Sequence, residues 1–223
     1  MVDSQRRRPV AFHGDLAELI ERARWIADSG PRSILGITGA PGAGKSRLAA
    51  ALVRALGERA ALVPMDGFHL ANSELIRLAR RDRKGAIDTF DGDGFVALMG
   101  RLHRADEAVV YAPEFRREIE EAIAGAIPVP RSVSLVVTEG NYLLAEQAPW
   151  NGLAGLIDQV WYVDPGEELR VARLVRRHIA FGKAPEAAKA WSLGTDQRNA
   201  ELIAATRDRA DLEIHTLDLI PET

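Results

Sequence analysis

Residues 39–46 read Gly39-Ala40-Pro41-Gly42-Ala43-Gly44-Lys45-Ser46 and satisfy the spacing G-x-x-x-x-G-K-[ST] at every constrained position. A glycine-rich turn of this kind lets backbone N–H groups point inward around a polyphosphate, and the helix that follows adds the partial positive charge of its N-terminus. In that arrangement Lys45 reaches the β- and γ-phosphates and the Ser46 hydroxyl ligates Mg²⁺, with Arg47 in the same nucleotide-binding set. Downstream, acidic residues end apolar runs: Asp66, Glu139 and Asp164. Two carboxylates facing a triphosphate can divide phosphoryl transfer, one helping to hold Mg²⁺ and the other accepting the proton of an attacking hydroxyl.

The elements that must position these residues follow from the pattern. Ile34–Ile37 is an apolar run before the glycine turn, and Leu48, Ala49, Leu52, Ala55 and Leu56 follow at helical spacing, closed by Gly57. Strand, glycine turn and helix in that order are the context the motif requires. Asp15-x-x-Glu18 opens an earlier helix as a capping box, and Gly30-Pro31 stops it. Further strands are expected over 60–65, 132–138, 159–163 and 212–216. The second of these is β-branched and almost wholly apolar, as in a strand buried on both faces. Strands alternating with helices predict an α/β fold with a mostly parallel sheet, helices on both faces and ligands beyond the carboxyl ends of the strands. Asp164-Pro165-Gly166-Glu167 fits a helix N-cap with proline at the first helical position, so Asp164 is expected to cap rather than to catalyse. In the helix it starts, Arg170, Arg173 and Arg177 share one stripe. That stripe reads either as a solvated face, the commoner case, or as a lid closing on phosphates. Gly182 beyond it suits a hinge or a plain C-cap. Arg77, Arg80, Arg81, Arg83 and Lys84 form another basic cluster, which suits a solvated face or the steering of an anionic substrate.

Composition narrows the function classes. With 223 residues, 47% hydrophobic and 27% charged, the chain suits one globular domain, with residues 1–12 expected as a flexible tail and about 165–200 as a lid. A net charge of −3 argues against general nucleic-acid affinity. The absence of cysteine excludes disulfides, thiolate metal sites and cysteine catalysis, and the five scattered histidines do not form a zinc pattern. No apolar run approaches the ~18 residues of a spanning helix, so no membrane partner is expected and the cytoplasm is the default location. The Arg6-Arg7-Arg8 run belongs to the tail.

Several segments together resemble a known family. The glycine turn, Asp66-Gly67-Phe68-His69, Arg83-Lys84-Gly85 with Thr89-Phe90-Asp91, Tyr111-Ala112-Pro113-x-Phe115 and Glu139-Gly140-Asn141-Tyr142 occur in an order similar to the P-loop kinases that include uridine kinase, phosphoribulokinase and bacterial type I pantothenate kinase. The subgroup it most resembles is the nucleoside/nucleotide kinase-like one, which includes fructokinase-like and pantothenate kinase-like proteins. The resemblance spans about residues 12–216. It implies the three-layer P-loop sandwich with a helical lid, ATP and Mg²⁺ as cofactors, and a small-molecule alcohol as acceptor, with a homodimer common among relatives. Residue by residue it implies Asp66 as general base, Glu139 with Ser46 at Mg²⁺, Lys45, Arg173 and Arg177 on the phosphates, and Arg207 near the adenine. Arg83, Asp91, Tyr111 and Arg117 fall in the acceptor pocket, joined by His69, which also reads as a satisfied loop histidine, and Tyr142, which also reads as a packing residue. Arg116 departs from the family pattern, so the acceptor (pantothenate-like, nucleoside or sugar) does not carry over. Two rival readings stand beside an ATP-dependent kinase: a nucleotide switch, against which the lack of an Asn-Lys-x-Asp segment counts, and a catalytically idle ATP-binding regulator.

Overall fold

The computed structural model describes residues 8–215, the side chain of Thr195 excepted; Arg6, Arg7 and Thr216 lie outside that range. Six parallel strands form the central sheet in the order β1-β8-β7-β2-β6-β3. They are β1 (Val10–Phe12), β2 (Ser33–Thr38), β3 (Ala60–Leu62), β6 (Leu135–Glu139), β7 (Gln159–Val163) and β8 (Leu212–Ile214), while β4 (Val109–Arg116) and β5 (Glu121–Pro130) pair antiparallel as a separate hairpin. Side chains alternate across a strand, so each central strand feeds two cores. Leu35, Ile37, Leu135, Val137, Trp161 and Val163 pack with α1 (Leu16–Asp28) and α2 (Lys45–Leu56). Ile34, Val136, Val160 and Tyr162 face the opposite layer, built on α4 (Gly92–Arg104, after the short α3, Asn72–Arg77), the hairpin and the aromatic group of Tyr142 and Trp150. Helices and hairpin on both faces of a parallel sheet give the expected three layers. Burial of both faces is why β2 and β6 read as unbroken apolar runs.

Three local expectations change. Val10–Phe12, read as tail, pairs in register with Leu212–Ile214, and Phe12 is buried. A three-residue edge strand is too short to show a period. The strand expected over 60–65 stops at Leu62. Pro64, which has no N–H to donate, leads into a tight turn over Met65–Phe68 that carries Asp66. Asp164 does not cap the next helix directly: α5 (Glu167–Ala180) starts after Gly166, which takes φ +85°, and Asp164 Oδ1 accepts the Gly166 N–H at 3.0 Å.

The hairpin sits on the Asp66 turn. A side chain on Gly67 would run into the Pro113 carbonyl, so backbone meets backbone there. Arg32, largely buried, binds the hairpin base to the sheet by donating to Val133 O at 3.0 Å and Pro130 O at 2.6 Å. Beyond β7 the chain runs through α5, α6 (Pro185–Leu193) and α7 (Thr195–Ala204). Gly182, at φ +89°, follows the Phe181 C-cap and donates to Ile179 O at 2.9 Å, closing α5 as its left-handed terminal glycine. Among the described residues no helix is long and apolar enough to cross a membrane.

Candidate active site

The carboxyl ends of β2, β3 and β6, the hairpin tip and α5–α7 enclose a cavity of about 410 Å³. The glycine loop forms one wall. Gly39, Gly42 and Gly44 take φ of +144°, +83° and +100°, conformations that a Cβ disfavours. A Cβ on Gly42 would sit 2.6 Å from Arg170 O and 2.7 Å from Leu174 Cγ, so the loop packs directly under α5. Gly42→Ala is therefore expected to cost about 1–3 kcal/mol of stability and to weaken nucleotide binding, checked by thermal unfolding and by titration with ADP. The first turn of α2, whose N-cap Gly44 supplies no side-chain bond, leaves backbone N–H groups at the loop. Arg170, on the stripe that read as a solvated face or a lid, is buried against the loop and donates to Pro41 O at 3.4 Å and to Gln197 Oε1.

Lys45 is buried, and its ammonium donates to Gly39 O at 2.9 Å and Ala40 O at 3.2 Å. Burial pushes its pKa down to about 8, against the opposing pull of Glu139 and Asp66. Ser46 Oγ donates to Glu139 Oε1 at 2.9 Å, and Glu139 is itself buried. Burial first, then the neighbouring Asp66 charge, raise the Glu139 carboxyl above the usual range, with Lys45 and the Ser46 hydroxyl partly offsetting them. A buried carboxylate beside a hydroxyl, with a second carboxylate close by, is a hard-oxygen set that suits Mg²⁺. Asp66 presents its carboxylate to the cavity, one third exposed, with Arg117 Nη2 3.4 Å from Oδ2. His69 Nδ1 lies 2.8 Å from Asp66 O, and its ring packs 4.1 Å from Phe90 and 4.7 Å from Phe115. Burial lowers the His69 pKa, so the ring is held neutral as well as oriented. Arg177 enters from α5; burial and then Arg117 weaken its hold on its proton, while Asp196, Asp66 and Glu139 oppose them.

Of the residues expected at the site, Pro41, Lys45, Ser46, Asp66, His69, Arg117, Glu139 and Arg177 line this one cavity. The rest divide by what their side chains touch. Arg83 pairs with Asp88, Nη2 to Oδ2 at 2.7 Å, rather than facing an acceptor. Asp91 caps α4, its Oδ1 accepting Gly94 N–H at 2.9 Å. Tyr111 is 58% exposed on β4 outside the cavity. Tyr142 is core: it packs on Phe90 and Trp150, and its hydroxyl donates to Gly85 O at 2.7 Å. Its alternative as a packing residue is the one realised. Arg207 lies 3.6 Å from Asp164 Oδ2 and 3.3 Å from Glu213 Oε1, and Arg47 and Arg173 are half-buried on α2 and α5 outside the cavity lining. Asp91→Ala is accordingly expected to lower stability by about 1 kcal/mol while the acceptor KM stays within twofold, measured by urea unfolding and steady-state kinetics.

The structure adds residues whose patterns carried no signal. His178 Nε2 stands 2.8 Å from Asp196 Oδ2, tying α5 to α7 at the cavity rim, and Lys183 lies 4.5 Å from the Trp191 ring. Glu120 reaches in from the hairpin turn. Of the basic cluster that the sequence offered as a solvated face or for steering an anionic substrate, Arg81 and Lys84 line the cavity, while Arg77 pairs with Glu74 and Arg80 with Asp88.

A glycine loop on a parallel sheet, with two acids and arginines gathered over it, defines a P-loop kinase site. The chain belongs to the phosphoribulokinase/uridine kinase family, whose family model matches residues 34–219. It is 33% identical over 174 residues, 74% of each chain, to a provisionally assigned uridine kinase of Schizosaccharomyces pombe. It is 35% identical over 152 residues, 64% of this chain and 88% of the other, to an ATP-dependent kinase-like protein of Aspergillus versicolor. The crystal structure of a provisionally assigned fructose transport system kinase from Silicibacter sp. TM1040 superposes with a TM-score of 0.80 at 38% identity, over 90% of this chain and 99% of that one.

Proposed function

We propose that this kinase transfers the γ-phosphoryl group of ATP to a hydroxyl of a small molecule held between Asp66 and the hairpin. One observation carries the reading: Lys45, Ser46, Glu139 and Asp66 converge on a single cavity closed by Arg117 and Arg177. Backbone N–H groups of the loop and the Lys45 ammonium hold the triphosphate. Ser46 and Glu139 would hold Mg²⁺, which supplies charge neutralisation at the phosphates when bound. Asp66 accepts the proton as the acceptor oxygen bonds to the γ-phosphorus and the bond to the ADP oxygen breaks. Arg177 from α5 and Arg117 from the hairpin stabilise charge on the transferring group. Arg177, facing the cavity where Arg173 does not, carries the larger part of the lid's contribution. His69 orients Asp66 through its backbone and stacks beside the acceptor.

The test is release of ADP by purified protein on addition of acceptors. Stimulation by at least one small alcohol, dependent on Mg²⁺, supports the reading. ATP binding with no stimulation across vitamins, polyols, nucleosides and hydroxy acids would instead favour an ATP-binding regulator.

A further inference from the structure

Besides Lys45, Arg117 and Arg177, the cavity is lined by Arg81, Lys84 and Lys183. A chain of contacts leads from Asp66 to His69 at 2.8 Å, from His69 to the Phe115 ring at 4.7 Å, and from that ring to Lys84 Nζ at 4.9 Å. The Lys84 side chain is only 8% exposed, yet its nearest carboxylate, Glu120, is 4.0 Å away and half exposed itself. Neutral oxygens hold the ammonium instead: Asn72 Oδ1 at 2.9 Å and Glu120 O at 2.5 Å. An ammonium has three N–H donors, and no hydrogen bond among the described residues uses the third. Arg81 lines the same cavity and repels Lys84. Together with the larger effect of burial it depresses the Lys84 pKa, which Glu120 and Glu121 only partly restore. A desolvated cation beside a like charge is an arrangement that an anion relieves.

The position is also built rather than incidental. The carbonyl of Gly85, next in the chain, accepts from Tyr142 Oη at 2.7 Å and from Asn199 Nδ2 of α7 at 3.4 Å, so core and lid both fix the Lys84 loop. A neutral sugar or nucleoside would leave both cations facing hydroxyls or apolar surface. We propose, resting on the kinase reading above, that the acceptor is an anionic alcohol that presents its hydroxyl to Asp66 and a carboxylate or phosphate to Lys84 and Arg81.

The test compares matched pairs in the ADP-release assay: a hydroxy acid against its uncharged amide, and a phosphorylated polyol against the free polyol. The expected result is a kcat/KM at least tenfold higher for the charged member of one pair, which also tells carboxylate from phosphate. Lys84→Met and Arg81→Gln should each reduce that ratio by about tenfold, chiefly through KM, and Lys84→Arg should keep it. Arg81 is exposed, so its variant reports on recognition even if Lys84→Met folds poorly. Equal use of both members of each pair, or a ratio unmoved in Arg81→Gln and Lys84→Met, overturns the inference and leaves the kinase reading standing. If no acceptor releases ADP, the kinase reading falls. Calorimetric titration of the same pairs in the presence of ADP then decides the charge preference: tighter binding of the charged members, weakened in Lys84→Met, supports it, and equal binding overturns it.

Discussion

Asp66→Asn is expected to lower kcat by about 10²–10⁴-fold while ATP affinity stays within a few fold. The asymmetry follows from how the two acids are placed. Glu139 is buried, and its oxygen is already engaged by Ser46 Oγ at 2.9 Å. Asp66 opens on the cavity with its carboxylate one third exposed and Arg117 at 3.4 Å. Of these two acids, Asp66 is the one whose carboxylate opens, partly exposed, on the cavity. Asparagine is nearly isosteric and leaves the turn over Met65–Phe68 intact, but its amide takes no proton at neutral pH. Removing the Asp66 charge also removes a repulsion that raises the Glu139 pKa, so the Glu139 carboxylate forms more readily in the variant. ATP and Mg²⁺ binding should therefore hold or improve as turnover falls. Steady-state kinetics with calorimetric ATP titration separate the two effects. A kcat within tenfold of wild type would remove Asp66 from proton transfer and leave it only an orienting role.

What the chain declared in advance was local. The glycine loop, α2 and the strands β2, β6 and β7 depend on short-range spacing, and strands buried on both faces announce themselves as apolar runs. Asp66 and Glu139 were legible because strand ends of a parallel sheet are where ligands bind. The hairpin was hidden: Pro113, Pro128 and Pro130 interrupt its alternation, and charged residues from Glu114 to Glu121 read as loop. Its tip nevertheless supplies Phe115, Arg117 and Glu120 to the cavity. The arginine stripe of α5 was legible only as a pair of alternatives. Spacing placed Arg170, Arg173 and Arg177 on one face that read either as solvated or as a lid, and tertiary packing put Arg170 against the glycine loop and Arg177 at the cavity. Periodicity identifies a face but not what covers it. Asp91 and Arg83 show the converse: each lies in a segment that resembles the family's acceptor pocket, and each is used locally, as a helix cap and as an ion pair.

Lys45→Met separates what the site needs from what the fold prefers. At neutral pH the variant should lose about 10²–10³-fold in turnover, the scale for removing one charged donor from a developing anion. It should also be more stable than wild type. The folded-state pKa of Lys45 lies near 8, below its ordinary 10.5, because burial disfavours the ammonium. Below pH 8 the native protein holds that charge at a cost of about 3 kcal/mol. Methionine removes this cost but also two hydrogen bonds, to Gly39 O and Ala40 O, worth about 1–2 kcal/mol together. The balance is a gain of about 1–2 kcal/mol at pH 7, or a Tm higher by roughly 2–8 °C. Between about pH 8 and 10.5 the unfolded chain binds the Lys45 proton and the native state does not, so wild-type stability rises relative to the variant. The Tm gap should therefore shrink across that window. Calorimetric scans at pH 7 and pH 10 measure it directly, and a variant less stable at pH 7, or a gap indifferent to pH, would show that the loop carbonyls hold the ammonium without strain. If the gap closes as expected, the buried charge is a destabilising element that phosphate binding relieves, and ligand-induced stabilisation by ATP should be larger in wild type than in Lys45→Met by at least that difference.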